Sequence, residues 1–182
     1  MARKMVQLAP DTPRNAKDLD KIDRRILDEL QTSGRMPVME LARRVNLSKT
    51  PCIRRIERLE REGFIKDYVA RLDAERMGFE FLAFVEVSLE RNNSEVLKRF
   101  SQAVQDFEEI IDCQMVLGDF DYVLRVNVAS KREFRRFMLD KLNSIQGLVK
   151  TRTVVSLGEV KSTTKLPTLP SISRRRLRRR KP

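Results

Sequence analysis

A change in the spacing of apolar residues near position 81 constrains the fold of this chain more than any other feature. Beyond it, four strand-like segments begin at Phe81, Ile110, Tyr122 and Val149, and two segments between them have helical spacing. Their order, β-α-β-β-α-β, is that of a ferredoxin-like split βαβ module. The pattern therefore predicts a four-stranded sheet with helices on one face only.

The helix-free face of this predicted sheet carries apolar residues too. An isolated subunit would expose them to water, and soluble proteins rarely expose a large apolar area. We therefore expect the chain to form at least a dimer, in which the sheets of two subunits face each other.

Three short helices are expected before this module, within residues 18–66. Ile26 and Leu30 belong to an apolar stripe at helical spacing, and Asp18 or Asp20 can cap the start of the first helix. The second helix has an apolar face of only about two turns.

A tight turn at Asn46 and Leu47 leads into the third helix, which Ser48 or Thr50 can cap. Its apolar side is expected to consist of Ile53, Ile56 and Leu59. A short helix, a tight turn and a capped helix with a basic outer face form a helix-turn-helix. Residues 64–72 then have the pattern of a short β-hairpin or wing. The alternative for this region is an ordinary three-helix packing unit with solvated arginines.

The third helix carries side chains suited to reading DNA. A recognition helix lies in the major groove, which is about 12 Å wide, with its polar side free. Arginine binds guanine through two hydrogen bonds or holds phosphates, which fix position without reading sequence. The residues that we assign to DNA binding are Ser48, Lys49, Thr50, Arg54, Arg55 and Arg58, together with Arg35.

Charge is distributed unevenly along the chain. Residues 1–66 carry a net charge of +6, residues 67–166 a net charge of −1, and residues 167–182 a net charge of +7. Basic regions attract polyanions, of which nucleic acid is the most abundant in a cytoplasm. The alternative is a generally basic protein with an unstructured tail.

Several functional classes are disfavoured by composition. The chain has no histidine, which removes most histidine-based catalysis and most zinc sites, and it shows no evident nucleophile and base pair. We therefore expect neither an enzyme nor a metal or organic cofactor. Residues 1–17 lack the apolar core of a secretory signal, and no run approaches the length of about 18 apolar residues that a membrane span needs. A cytoplasmic, nucleoid-associated protein without a membrane partner is expected.

Two features of the sequence are each open to two interpretations. The C-terminal sequence SRRRLRRRKP follows an extended segment at 166–170, and it is either a disordered, soluble end or an arm that binds DNA phosphates. Cys52 and Cys113 have no neighbouring cysteine, so a structural role is favoured over a redox role.

The sequence resembles the leucine-responsive/asparagine-regulatory (Lrp/AsnC) family of transcription regulators, and the likeness is greatest to its leucine-responsive branch. The matching stretches are LDKIDRRILDELQTSGR (19–35), ELARRVNLSKTPCIRRIERLEREGFIKDY (40–68), GDFDYVLRV (118–126) and TRTVVSLGEVK (151–161). The resemblance implies dimers that assemble into tetramers or octamers. It also implies a small amino-acid effector, bound in a cleft between neighbouring subunits.

The resemblance also assigns residues to that cleft. One subunit would contribute Leu117, Gly118, Asp119, Asp121 and Tyr122, and its neighbour Thr153, Val154 and Val155. The carboxylate of Asp119 or of Asp121 can accept a hydrogen bond from the α-ammonium group of the effector, and a glycine turn offers backbone N–H groups to the effector's carboxylate. This chain departs from the family at Leu117, where a small polar residue is frequent, and at Val154, where an aromatic residue is frequent. A less polar pocket favours an effector with an aliphatic side chain, such as leucine.

These arguments predict an α+β protein with an N-terminal winged helix-turn-helix domain and a C-terminal ferredoxin-like βαββαβ domain. The expected segments are an N-terminal arm (1–17), the DNA-binding domain (18–66), a hairpin or linker (67–80), the effector and oligomerisation domain (81–160) and a basic tail (161–182). The predicted function is a sequence-specific transcription regulator whose assembly and DNA binding respond to an amino acid. The alternative is an architectural DNA-binding protein of the nucleoid that needs no effector.

Overall fold

A computed structural model describes residues 19–90 and 93–168, which belong to two compact units. Of the described residues, the first unit contains 19–70 together with 163–168, and the second contains 71–90 and 93–162. The predicted N-terminal arm, the alternative cap Asp18 and the arginine-rich part of the tail lie outside the described residues.

The first unit is built on the three predicted helices, α1 (Lys21–Thr32), α2 (Val38–Arg44) and α3 (Lys49–Arg61). Asp20 caps α1, because its carboxylate accepts hydrogen bonds from the Ile22 and Asp23 amides at 2.8 Å each. The Asp23 carboxylate accepts a hydrogen bond from the Asp20 amide in return, which completes a capping box. The prediction of Asp20 as a cap is confirmed.

A left-handed residue makes the turn between α2 and α3. Asn46 has a φ of 58°, a conformation that asparagine tolerates better than most residues. The amide of Leu47 then donates a hydrogen bond to the carbonyl of Ala42 at 2.8 Å, which closes the end of α2. The two helices of the motif are therefore joined by a tight turn, as predicted.

The inward side of α3 differs by one residue from the prediction. Cys52 and Leu59 are buried in the helical core and Ile56 packs against it, whereas Ile53 is only half-buried. Cys52, Ile56 and Leu59 lie at positions i, i+4 and i+7 and form a single stripe, so Ile53 falls on its flank. Both candidates are apolar, and the spacing alone did not distinguish them.

The predicted hairpin or wing at 64–72 is wrong. Phe64 and Ile65 pack against the helical core, and the chain then continues without strand structure to the beginning of the sheet. These residues contain no Asn-Gly or Asp-Gly pair to reverse the chain, so a tight hairpin has no turn on which to form.

The second unit has the predicted βαββαβ order. Its elements are β1 (Phe81–Leu89), α4 (Ser94–Asp106), β2 (Ile110–Met115), β3 (Tyr122–Val128), α5 (Lys131–Arg136) and β4 (Leu148–Val155). A π-helical turn and a short 3-10 turn extend α5 to Ser144. The strands form one antiparallel sheet in the order β2-β3-β1-β4. This is the ferredoxin-like arrangement, and the predicted fold class is confirmed.

The core of this unit lies between the sheet and its helices. Alternate residues of β1 and β3 are buried there together with Phe100 and Phe137. Within the described residues of this unit, the helices pack on that side of the sheet only, and the side chains of β1 and β3 on the opposite face are half-buried, apart from the exposed Phe84. Phe84 of β1, 39% exposed, lies opposite Val154 of β4, 48% exposed, on that face. No helix within residues 19–90 and 93–168 combines the length and apolar character that crossing a bilayer requires.

Candidate DNA-binding and effector-binding sites

The beginning of α3 presents several of the predicted DNA-binding residues to solvent. Ser48, at the N-cap position, is exposed together with Lys49, Thr50 and Arg54. Arg35 is exposed in the turn between α1 and α2. The exposed side chains of α3 combine positive charge with hydroxyl groups, a chemistry that suits both phosphates and base edges.

Arg55 and Arg58 do not share this free surface, contrary to the prediction that they lie on the outer side of the helix. Both are half-buried against the start of α1. The Nη1 atom of Arg55 donates to Asp23 Oδ1 at 2.7 Å and to Asp20 Oδ2 at 2.6 Å, while Nη2 of Arg58 donates to Asp23 Oδ2. The spacing along α3 identified basic positions, but it contained no information about which side packs on another helix.

Asp23 is the centre of this cluster, and its side chain is only 1% exposed. A buried carboxylate is tolerated when it is paired and hydrogen-bonded, as it is here by two guanidinium groups and a backbone amide. Burial opposes ionisation of the neighbouring Asp20. Hydrogen bonds from the Asp23 amide and from Arg55 nevertheless hold the pKa of the Asp20 carboxyl below its usual value. The cluster fixes the position of α3 on α1.

The turn between β2 and β3 is closed by Asp121. Its carbonyl accepts a hydrogen bond from the Val116 amide at 2.9 Å, and its amide donates to the Val87 carbonyl at 2.9 Å. Its carboxylate Oδ2 accepts a further hydrogen bond from the Leu89 amide at 2.7 Å. Asp121 thereby attaches the turn to the end of β1, beside the irregularity in register at Ser88 and Leu89.

The remaining turn residues divide into an exposed tip and a buried base. Leu117, Gly118 and Asp119 are exposed at the tip. Tyr122 is buried in the core of the unit, where its ring centroid lies 4.7 Å from that of Phe100. Burial, and to a lesser degree the neighbouring Cys113, raises the pKa of the Tyr122 hydroxyl. The role of these residues in effector binding stays a prediction.

The three predicted residues of β4 lie apart from this turn within one subunit. Thr153, Val154 and Val155 are exposed on the edge strand, and β1 separates that strand from β3. Thr153 pairs with Val85, whose side chain faces the helices, whereas Val154 belongs to the helix-free face. Within the described residues, β4 approaches the turn through Arg152, the neighbour of Thr153, whose guanidinium lies over the Phe120 ring.

A charged cluster on the helix-free face was missed by sequence reasoning. Glu86 and Arg152 are directly opposite in the pairing of β1 with β4, and the guanidinium Nη2 donates to Glu86 Oε1 at 2.8 Å. The carbon centre of that guanidinium lies 4.8 Å from the ring centroid of Phe120, which comes from the β2–β3 turn. Opposite charges on neighbouring strands were a detectable signal, but only the register shows that they are partners.

Cysteine reactivity and metal binding have little support in the described part of the chain. Burial raises the pKa of the Cys52 thiol, and burial with the nearby Asp112 raises that of Cys113 to about 11. Thiols of high pKa are weak nucleophiles, which favours the structural role predicted for them. Within residues 19–90 and 93–168, no three acidic or cysteine side chains come together as metal ligands.

Comparison with known proteins assigns both units. Residues 19–60 match the model of the AsnC-type helix-turn-helix domain, and residues 82–166 match that of the Lrp/AsnC ligand binding domain. Similar proteins include the leucine-responsive regulatory proteins of Escherichia coli K12 and Klebsiella pneumoniae. Each is 45% identical over 153 residues, which cover 84% of this chain and 93% of theirs.

Solved structures of similar chains have the same fold. A transcriptional regulator of Neisseria meningitidis in complex with L-Met is 36% identical, with a TM-score of 0.79, over 82% of this chain and 96% of that one. An AsnC family regulator of Agrobacterium tumefaciens is 35% identical, with a TM-score of 0.77, over 82% of this chain and 97% of that one.

Proposed function

The chain belongs to the Lrp/AsnC family of transcription regulators, and on that premise we propose that it binds specific, pseudo-palindromic DNA sites as a dimer or larger assembly tuned by a leucine-like amino acid. The observation that carries this proposal is the 45% identity to leucine-responsive regulatory proteins over 84% of the chain, across both domains in the same order. The function as a DNA-binding regulator with an amino-acid effector follows from membership.

We assign direct DNA contacts to the exposed side of α3. We assign Lys49, Thr50 and Arg54 to the major groove, and Ser48 and Arg35 to the DNA backbone. All five residues are exposed and available for contact with DNA. Arg55 and Arg58 act first by positioning α3, since both are engaged by Asp23. The N-terminal residues of a recognition helix are those that approach base edges.

Substitution of Arg54 tests this division. Arg54→Ala weakens binding to the cognate site by about 1–3 kcal/mol if a bidentate base contact is lost, with specificity relaxed at one position. Affinity is measured by fluorescence anisotropy on the cognate duplex and on single-base variants of it. Lys98→Ala is the matched control, because Lys98 is exposed on α4 of the other unit. Unchanged affinity in Arg54→Ala contradicts the placement of this helix face in the groove.

The effector site is assigned to the exposed turn and the β4 residues of a neighbouring subunit. Leu117 and Val154 supply aliphatic surface, which supports an amino acid with an aliphatic side chain. Asp119 is exposed and offers its carboxylate to the α-ammonium group, while Asp121 holds the turn through Leu89. The L-Met complex of the Neisseria regulator supports a ligand of this class.

Calorimetric titration with leucine, methionine, asparagine and lysine tests the effector. We expect leucine or methionine to bind, and Asp119→Asn to weaken that binding while leaving DNA affinity unchanged in the absence of effector. Binding of none of the four amino acids, with DNA binding intact, favours the effector-independent architectural alternative.

The helix-free face is assigned to subunit contact. Phe84 and Val154 form exposed apolar surface there, beside the paired charges of Glu86 and Arg152. Sedimentation at micromolar concentration is expected to show a dimer or a larger species. A monomer under these conditions contradicts the assignment. The relatives are regulators, which supports a non-catalytic protein, and DNA binding supports a nucleoid-associated location.

A further inference from the structure

The segment 163–168 lies along the outer face of α1 in the first unit. Gln31 exchanges two hydrogen bonds with the main chain of Leu166: Nε2 donates to the carbonyl at 3.1 Å, and Oε1 accepts from the amide at 2.6 Å. The hydroxyl of Thr168 donates to Asp28 Oδ2 at 2.9 Å. Lys165 Nζ donates to the hydroxyl of Thr32 at 3.1 Å.

The geometry of both partners favours this contact. Asp28, Gln31 and Thr32 are spaced so that they share the side of α1 opposite to the buried Ile26. Pro167 disfavours helical backbone at Leu166, which keeps the Leu166 amide and carbonyl out of a helical hydrogen-bond pattern. A glutamine amide has one donor side and one acceptor side, so it satisfies both groups at once.

The chain that follows this anchor is strongly basic. Six arginines and one lysine occur from Arg174 to Lys181, with no acidic residue after Thr168. Five residues, 169–173, separate the anchor from Arg174, whereas eleven residues, 163–173, separate Arg174 from Ser162, the last residue of the second unit. Arg174 is therefore separated from the anchor by fewer than half as many residues as from the second unit.

We propose that residues 163–168 anchor the basic C-terminal sequence to the helix-turn-helix unit, so that its cations bind the phosphate backbone of the duplex next to the site held by α3. This inference rests on the proposed DNA-binding function. A duplex is a dense line of negative charge, and each phosphate neutralised by lysine or arginine releases counterions. Effective concentration falls roughly as the −3/2 power of linker length, so the shorter connection favours the contact about threefold.

Neutralisation of the tail is the first arm of the test. A full-length variant with glutamine at all seven basic positions from Arg174 to Lys181 is compared with wild type on the cognate duplex across a salt series. We expect weaker binding and a salt dependence reduced by several units of slope, up to about 6 if every cation meets a phosphate. An all-lysine tail is the matched control, and it retains the slope because the charge is conserved. Unchanged affinity and slope in the glutamine variant overturn the proposal.

Release of the anchor is the second arm. The double variant Gln31→Ala/Thr168→Val removes both hydrogen bonds between Gln31 and Leu166 and the one from the Thr168 hydroxyl to Asp28. It keeps every tail charge, and it leaves in place the hydrogen bonds from Lys165 to Thr32 and from Arg24 to the Thr168 carbonyl. We expect DNA affinity to fall about threefold with the natural tail and not to change with the glutamine tail, a coupling that a double-mutant cycle measures. Ser33→Ala, at the end of the same helix, is the control. An equal loss with both tails assigns the anchor to stability of the unit and overturns the delivery role.

The two proposals fail in different ways. If wild type binds no DNA site specifically, the proposed function fails. If wild type binds specifically and the glutamine tail binds equally well at every salt concentration, only the inference about the tail fails.

Discussion

The two units use a buried or partly buried aspartate in opposite ways. Asp23 of the helical unit is paired with two arginines of another helix, whereas Asp121 of the sheet unit accepts a hydrogen bond from a neutral backbone amide. Helices have no ladder of hydrogen bonds to join them, so side chains must fix their relative position. Strands are already joined by their ladders, and the aspartate there only attaches a turn.

Core size explains part of this difference. Among the described residues, the sheet unit buries a cluster of thirteen residues and the helical unit one of seven. A smaller core supplies less hydrophobic stabilisation, so each charged contact represents a larger share of the total. Substitutions in the two units are therefore expected to differ in kind as well as in size.

The largest effect is expected in the apolar core of the sheet unit. Phe100 is fully buried against Tyr122, and Phe100→Ala should lower the free energy of unfolding of that unit by about 4 kcal/mol through lost burial and a residual cavity. Denaturant unfolding at fixed protein concentration measures the loss. Leu97→Ala is the control on the outer side of α4, where Leu97 is 41% exposed, and a loss as large as that of Phe100→Ala would contradict a core confined to the space between the sheet and its helices.

Next in size is the charged cluster of the helical unit. Asp23→Ala leaves two half-buried guanidinium groups without their shared partner and should cost about 3 kcal/mol. Asp23→Asn keeps the shape and a hydrogen-bond acceptor and should cost less. Unfolding followed by circular dichroism measures both. If Asp23→Ala is as stable as wild type, the ion pairs do not hold α3 on α1.

A smaller effect is expected at the turn. Asp121→Asn replaces a charge-assisted hydrogen bond to the Leu89 amide by a neutral one, and should cost about 1 kcal/mol. Asp119→Asn, at the exposed tip, should stay within about 0.5 kcal/mol of wild type. Equal losses in the two variants would show that the contact with Leu89 contributes nothing particular.

The smallest expected effect depends on pH. The pKa of Asp20 is lowered in the folded protein, so its contribution is complete above the ordinary pKa of about 3.9 and is lost as pH falls through the lower folded value. The stability difference between wild type and Asp20→Asn should therefore shrink below about pH 4. Asparagine is an equivalent cap, which isolates the charge. A difference that is constant down to pH 2.5 (roughly the limit of such a series) would contradict the lowered pKa.

The sequence predicted the elements of the fold because periodicity reports which side of an element is apolar. The order of strands and helices and the Asn46 turn followed from local patterns, whereas the cap of α1 was narrowed to Asp18 or Asp20 and the coordinates show Asp20. The hairpin at 64–72 failed because alternation without a turn dipeptide does not reverse a chain. Local patterns therefore predicted most of the elements, but not the tertiary contacts that each element makes.

The sites show the same limit more sharply. Arg54, Arg55 and Arg58 are chemically equivalent in the sequence. Only the packing of α3 on α1 distinguishes the exposed Arg54 from Arg55 and Arg58, which are paired with Asp23. Glu86 and Arg152 lie 66 residues apart, and strand register alone makes them partners. Family resemblance pointed to the turn that we propose for the effector site, whereas the hydrogen bond from the Leu89 amide to Asp121 required coordinates.

The attachment of Asp121 has a mechanical consequence. Its amide and carboxylate join the turn to Val87 and Leu89, at the end of the central strand β1. The same strand carries Phe84 and Glu86 on the helix-free face. Because β1 is hydrogen-bonded to a strand on each side, a movement of the turn moves β1 rather than a flexible loop. Displacement at one end of the sheet is then passed to the helix-free face, which we propose as the subunit contact.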